Sequence, residues 1–130
     1  KESAKSLVPG RHASTFGGNP LACAAGVAVF ETIEEEGLLD NVAKIGRYSI
    51  EQLKLLQQAH KIIHEVRGIG LMIGIELTVS GSEFIKNCIQ AGLFLNCTHD
   101  KVIRFMPPLN VTKEHIDEGM NIIRSILSKP

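Results

Sequence analysis

With 130 residues, the chain fits one domain, or one and a fraction, against roughly 100 to 200 residues per domain, and two full domains are excluded. Hydrophobic residues make up 44%, which excludes disorder, but only 5% are aromatic and Trp is absent, so aliphatic packing must carry the core. Lys plus Arg and Asp plus Glu both number 14, leaving no excess positive charge for a row of phosphates or a polybasic membrane patch.

Three Gly and one Pro between Pro9 and Gly18 predict a loop that feeds a helix. Asn19 is a good N-cap and Pro20 suits the first helical position. From Leu21 to Ile33 the helix is apolar nearly all round, the pattern of a buried helix, and it stops at Glu34, Glu35, Glu36 and Gly37. The apolar stretch Pro20 to Phe30 is shorter than the roughly 20 residues a transmembrane helix needs. No leader-like segment opens the chain, so a soluble, cytoplasmic protein is expected. Asp40 or Asn41 is the predicted cap of a second helix, in which Val42, Ile45, Ser49, Leu53 and Leu56 recur at helical spacing on one face.

After His60 the period changes. Leu71, Ile73, Ile75 and Leu77 alternate with Met72, Gly74, Glu76 and Thr78, as in a half-buried strand. Ile62 to Arg67 is the expected partner strand across Gly68-Ile69-Gly70. A short helix follows from Ser80 or Ser82, with Phe84, Ile85, Cys88 and Ile89 inward and Gly92 as its end. Leu93 to Cys97 and Val102 to Met106 read as two strands around the turn Thr98-His99-Asp100-Lys101, stopped by Pro107-Pro108. Thr112 caps a last helix with Ile116, Met120, Ile123 and Leu127 on its inner face. The expected fold class is α+β, a small sheet covered by helices on one face, with residues 1–60 as a helical arm and 61–130 as the sheet domain.

Two places could hold an anion. Ser14-Thr15-Phe16-Gly17-Gly18 sets two hydroxyls and flexible glycines ahead of a helix start, where free N–H groups favour phosphate; an ordinary Gly-rich cap turn explains the same residues. Arg104 stands inside Val102-Ile103-Arg104-Phe105-Met106, where a desolvated guanidinium needs a partner such as a carboxylate; an edge-strand Arg in a surface ion pair is the plainer reading. Gly68-Ile69-Gly70-Leu71-Met72-Ile73-Gly74 is no dinucleotide fingerprint, because a strand follows where a helix should. Cys23, Cys88 and Cys97 form an odd set without C-x-x-C, and the five histidines lack an H-E-x-x-H pattern, so neither a disulfide framework nor a metal site is expected.

The segment His12-Ala13-Ser14-Thr15-Phe16-Gly17-Gly18-Asn19-Pro20-Leu21-Ala22-Cys23-Ala24-Ala25 resembles the loop and helix start of the class III pyridoxal-phosphate aminotransferases. Val66-Arg67-Gly68-Ile69-Gly70-Leu71-Met72-Ile73-Gly74-Ile75-Glu76-Leu77, Gly92-Leu93-Phe94-Leu95-Asn96 and Val102-Ile103-Arg104-Phe105-Met106-Pro107-Pro108-Leu109 resemble it in the same order. Within the family, Leu95-Asn96-Cys97-Thr98 and the Thr112 to Asp117 helix start are most similar to the acetylornithine branch, which serves arginine biosynthesis.

The resemblance implies the C-terminal small domain of a fold type I transferase that uses pyridoxal 5′-phosphate, acting as a homodimer. In the family, the Thr matching Thr15 holds the cofactor phosphate of the neighbouring subunit, the Ser matching Ser14 lies beside it near the substrate, and the Arg matching Arg104 grips a substrate carboxylate. The implied substrates are N-acetylornithine and 2-oxoglutarate, with ornithine, succinylornithine and 4-aminobutyrate aminotransferases as the related alternatives. The Schiff-base lysine of the family lies on the large domain before the region matched here, and neither Lys1 nor Lys5 occupies its setting. The chain is therefore expected to be the C-terminal part of an enzyme, to hold no catalytic residue of its own, and to be inactive and self-associating when isolated. A noncatalytic dimerisation or phosphate-ligand-binding module is the reading from another class.

Overall fold

The structure is a computed structural model, and it describes residues 5, 8, 10 and 13–128. Helix α1 (Pro20–Glu35) starts as its sequence requires: Asn19 is extended and its side chain accepts the N–H of Ala22, while Pro20 stands at the first helical position. Its C-cap is Glu36, and Gly37 follows in the left-handed conformation at φ 61°. The expected burial of this helix is not found: none of its residues is buried, and Leu21 is 81% and Phe30 70% exposed. Apolar side chains are drawn inward only where a second surface exists to cover them.

Helix α2 (Leu38–Ala59) begins directly after Gly37, two to three residues before the expected caps Asp40 and Asn41. Its inner stripe is as expected, with Ile45, Ser49, Leu53 and Leu56 buried and Val42 half-buried. Ser49 satisfies its buried hydroxyl by donating to the carbonyl of Ile45, 2.8 Å away in the preceding turn. Gly46 lies so close to the turn below it that an added Cβ would sit 2.4 Å from the Gly70 carbonyl oxygen. Asn41 is released from capping, and its Nδ2 donates to the carbonyls of Leu109 at 2.8 Å and Val111 at 3.0 Å.

Strands β1 (Ile63–Ile69) and β2 (Met72–Leu77) form a hairpin whose strands run closer to the turn than the glycines suggested; only Gly70 and Leu71 remain between them. Helix α3 (Ser82–Gln90) buries Phe84 and Cys88 and ends before Gly92 at φ 87°. Burial pushes the Cys88 thiol up to about 11, which keeps it protonated and unreactive at neutral pH. Strands β3 (Asn96–Thr98) and β4 (Val102–Phe105) flank a three-residue turn, one residue shorter than expected, with His99 and Asp100 both at positive φ. Helix α4 (Lys113–Leu127) opens with a capping box between Thr112 and His115 and buries Ile116, Met120, Ile123 and Ile126. Leu127, expected inward, is only half-buried, because Ile126 takes the inner position.

The strand order is β1-β2-β4-β3, antiparallel throughout, and the fold class is α+β as expected. One sheet face, carrying Val66, Ile73, Ile75, Leu77, Ile103 and Phe105, packs with α2, α3 and α4 into a single aliphatic core. By internal contacts the chain divides into residues 1–36 and 37–130, one helix earlier than the expected boundary near His60, because α2 shares the core of the sheet. Among the described residues, no helix is long and apolar enough to cross a membrane.

Candidate functional site

The loop ahead of α1 is folded on itself by its own polar groups. Ser14 Oγ accepts the N–H of Gly17 at 3.0 Å, Asn19 Nδ2 donates to the Phe16 carbonyl, and Asn19 Oδ1 accepts the N–H of Ala22 at 3.0 Å. The Asn19 carbonyl already accepts the Cys23 N–H at 3.0 Å, and Pro20 has no N–H to offer. Little of the helix terminus is therefore left for an anion. What the loop presents outward is the side chain of Thr15, exposed and without a hydrogen-bond partner among the described residues. His12, which opens the motif, lies outside the described residues.

This geometry fits part of a phosphate site rather than a whole one. A free hydroxyl on a loop held by Ser14 and Asn19 can donate one hydrogen bond to a phosphate oxygen, and the remaining donors must come from elsewhere. Ser14 and Thr15 share this loop; Arg104 belongs to the second compact unit, residues 37–130.

Arg104 lies on the sheet face opposite the one that packs with α2, α3 and α4. The alternation of β4 sends Ile103 and Phe105 into the core and Val102 and Arg104 to the opposite side. The strand register then sets one row across this face: Arg67 on β1, Gly74 on β2, Arg104 on β4 and Asn96 on β3. Gly74 contributes no side chain, so the row has a gap between its two guanidiniums.

The two arginines of this row differ. Arg67 Nη1 lies 2.6 Å from Glu65 Oε2 and 2.6 Å from Glu76 Oε2, and the Glu76 hydrogen bond, followed by Glu65, raises its pKa above the ordinary value. Arg104 has no carboxylate partner among the described residues, and its Nη2 donates only to Met106 Sδ, 3.0 Å away. Thioether sulfur is a weak acceptor. The surface ion pair, the plainer reading of Arg104, is thus not formed among the described residues. The full desolvation expected of it is not found either, since the residue is half-buried and opens on a groove of about 390 Å³ lined by Phe94, Leu95, Asn96, Arg104 and Met106. A cation held on a rigid strand, facing an open groove and short of an acceptor, can take an anionic ligand.

Sequence reasoning missed Asn96 and the Arg67 ion-pair cluster. The signal for both lay in the strand register, which the sequence specified only to within a residue. A turn of His99 to Lys101 instead of Thr98 to Lys101 places Asn96 opposite Arg104, and a one-residue shift exchanges the two faces of a strand.

Comparison with known proteins identifies the family. The family described as "Aminotransferase class-III" matches residues 1–127, and the chain belongs to that family. It is 47% identical over 130 residues to the acetylornithine aminotransferase of Caldanaerobacter subterraneus subsp. tengcongensis, covering 99% of this chain and 33% of that one. It is 46% identical over 120 residues to the ornithine aminotransferase of Geobacillus sp., covering 92% of this chain and 30% of that one. Among solved structures, the ornithine delta-aminotransferase of Plasmodium falciparum superposes with a TM-score of 0.85 at 38% identity, over 93% of this chain and 32% of that chain. The acetylornithine aminotransferase of Elizabethkingia anophelis gives 0.84 at 31% identity, over 95% and 32%. The chain thus spans about a third of the length of the relatives it matches, and its fold is that part of theirs.

Proposed function

We propose that this chain is the C-terminal part of an aminotransferase that moves the terminal amino group of N-acetylornithine to 2-oxoglutarate in arginine biosynthesis. The observation that carries the reading is Arg104, a strand-borne guanidinium that faces a groove and has no carboxylate partner among the described residues. Both substrates bring a carboxylate to such a site. Relatives named acetylornithine aminotransferase, at 45 to 47% identity, support this amine donor. Relatives named ornithine aminotransferase, at 46% identity, support ornithine as the alternative.

Pyridoxal 5′-phosphate, when bound, supplies the carbonyl that takes up and passes on the amino group. The Thr15 hydroxyl donates to its phosphate across the interface of a cytoplasmic homodimer, Ser14 holds the loop through Gly17 and lies near the substrate, and Arg104 orients the substrate carboxylate. Residues 1–36 form the arm leading out of the large domain, and 37–130, with α2 in the core of the sheet, the small domain. The Schiff-base lysine belongs to the large domain, so the chain by itself does not transaminate. The test is glutamate formation by the full-length protein with pyridoxal phosphate and 2-oxoglutarate, offered N-acetylornithine and ornithine side by side. Preference for ornithine would move the enzyme to the alternative, and no glutamate from either donor would overturn the reading.

A further inference from the structure

Arg104 does not face its groove alone. Asn96 is its direct cross-strand partner, and directly opposed residues of an antiparallel pair project to the same face with Cβ atoms about 4.5 to 5.5 Å apart. Both side chains line the same groove, whose remaining walls are Phe94, Leu95 and Met106. The Asn96 side chain has no hydrogen-bond partner among the described residues, and Arg104 has only the thioether of Met106. Arg67, at the other end of the row beyond Gly74, is by contrast held by two carboxylates. The uncommitted donors of this row therefore stand side by side at its β4–β3 end.

We propose that Asn96 and Arg104 form one carboxylate site, in which Arg104 supplies the charge and two N–H groups and the Asn96 Nδ2 supplies a third, neutral donor. A carboxylate offers about four lone-pair positions, so a guanidinium fork leaves room for a further N–H. An amide suits the place because it adds a donor without cancelling the positive charge; an acidic side chain would occupy Arg104 itself. The assignment rests on the reading of Arg104 as the substrate-carboxylate residue and adds to it the residue that shares the load.

The experiment uses the full-length protein with its cofactor and measures the KM for 2-oxoglutarate together with inhibition by glutarate, a dicarboxylate that cannot accept an amino group. Asn96→Ala should weaken both by about 10-fold, the scale of a hydrogen bond to a charged group, with the change falling on KM more than on kcat. Asn96→Asp, which keeps the size of the side chain, should weaken both by about 100-fold through an ion pair with Arg104. Thermal midpoints within about 2 °C of the parent's would exclude general loosening. Unchanged glutarate inhibition in both Asn96 variants, while Arg104→Ala loses it, would overturn the role of Asn96 and leave Arg104 in place. Unchanged inhibition in Arg104→Ala would instead overturn the reading on which the assignment rests.

Discussion

Helices α1 and α4 are nearly equal in length, 16 and 15 residues, and they use their apolar side chains in opposite ways. The sequence of α1 is the more hydrophobic, yet it buries nothing. That of α4 is mixed, and it buries a complete stripe with Ile116, Met120, Ile123 and Ile126. The difference is one of available partners. A stripe at helical spacing matches one flat sheet face, which residues 37–130 provide themselves, whereas a helix apolar on all sides needs cover on all sides.

The largest expected effects fall in the sheet unit and at its open face. Leu53 is fully buried between α2 and the sheet, so Leu53→Ala should cost about 2 to 5 kcal/mol, read as faster amide exchange at Ile103 and Ile116. Arg104→Ala should cost about 2 to 5 kcal/mol of carboxylate binding, read as a raised KM for 2-oxoglutarate in the full-length protein. An unchanged KM would place Arg104 with ordinary surface cations.

A smaller loss tests how the connection into α4 is held. Asn41→Ala removes the donor to Leu109 and Val111 and should cost about 1 to 2 kcal/mol, again read by exchange in α4. A further contact between α2 and α4 titrates. Tyr48 donates to Asp117, and Lys113 Nζ donates to the same carboxylate at 2.7 Å while lying 4.6 Å from the centre of the Tyr48 ring. The Lys113 hydrogen bond, followed by that of Tyr48, lowers the Asp117 pKa below the ordinary value. A carboxylate lowered on folding contributes stability above its unfolded pKa of about 3.9 and loses it as pH falls through the folded value. Lys113 is raised to about 12, chiefly by Asp117 and then by Tyr48, so its share persists below its unfolded pKa of about 10.4 and fades as pH rises through about 12. Thermal midpoints across pH should therefore fall at both ends, and Asp117→Asn should flatten the acid limb.

The smallest effect sharpens the contrast between the helices. Phe30→Ser on α1 should change exchange in the sheet by less than about 0.5 kcal/mol in the isolated chain, since the side chain is 70% exposed. In the full-length protein the same substitution should lower the thermal midpoint by several degrees. Equal effects in both would mean that nothing covers this helix.

Local chemistry was legible in the sequence wherever one residue decides an outcome. Asn19 and Pro20 start α1, Thr112 starts α4, and the alternation from Leu71 to Leu77 sets the buried face of β2. These features act within a turn or a strand, through one side chain's hydrogen bond or one residue's direction. The identity of Arg104 as a candidate was visible for the same reason, a charge among apolar neighbours.

Its surroundings were decided by tertiary structure alone. Whether Arg104 meets Glu76, Gly74 or Asn96 depends on register across four strands, and register follows from how the hairpin turns close and which faces the helices cover. The burial of α1 likewise could not be read from its composition, because hydrophobicity describes a tendency to leave water while burial also requires a surface to receive it.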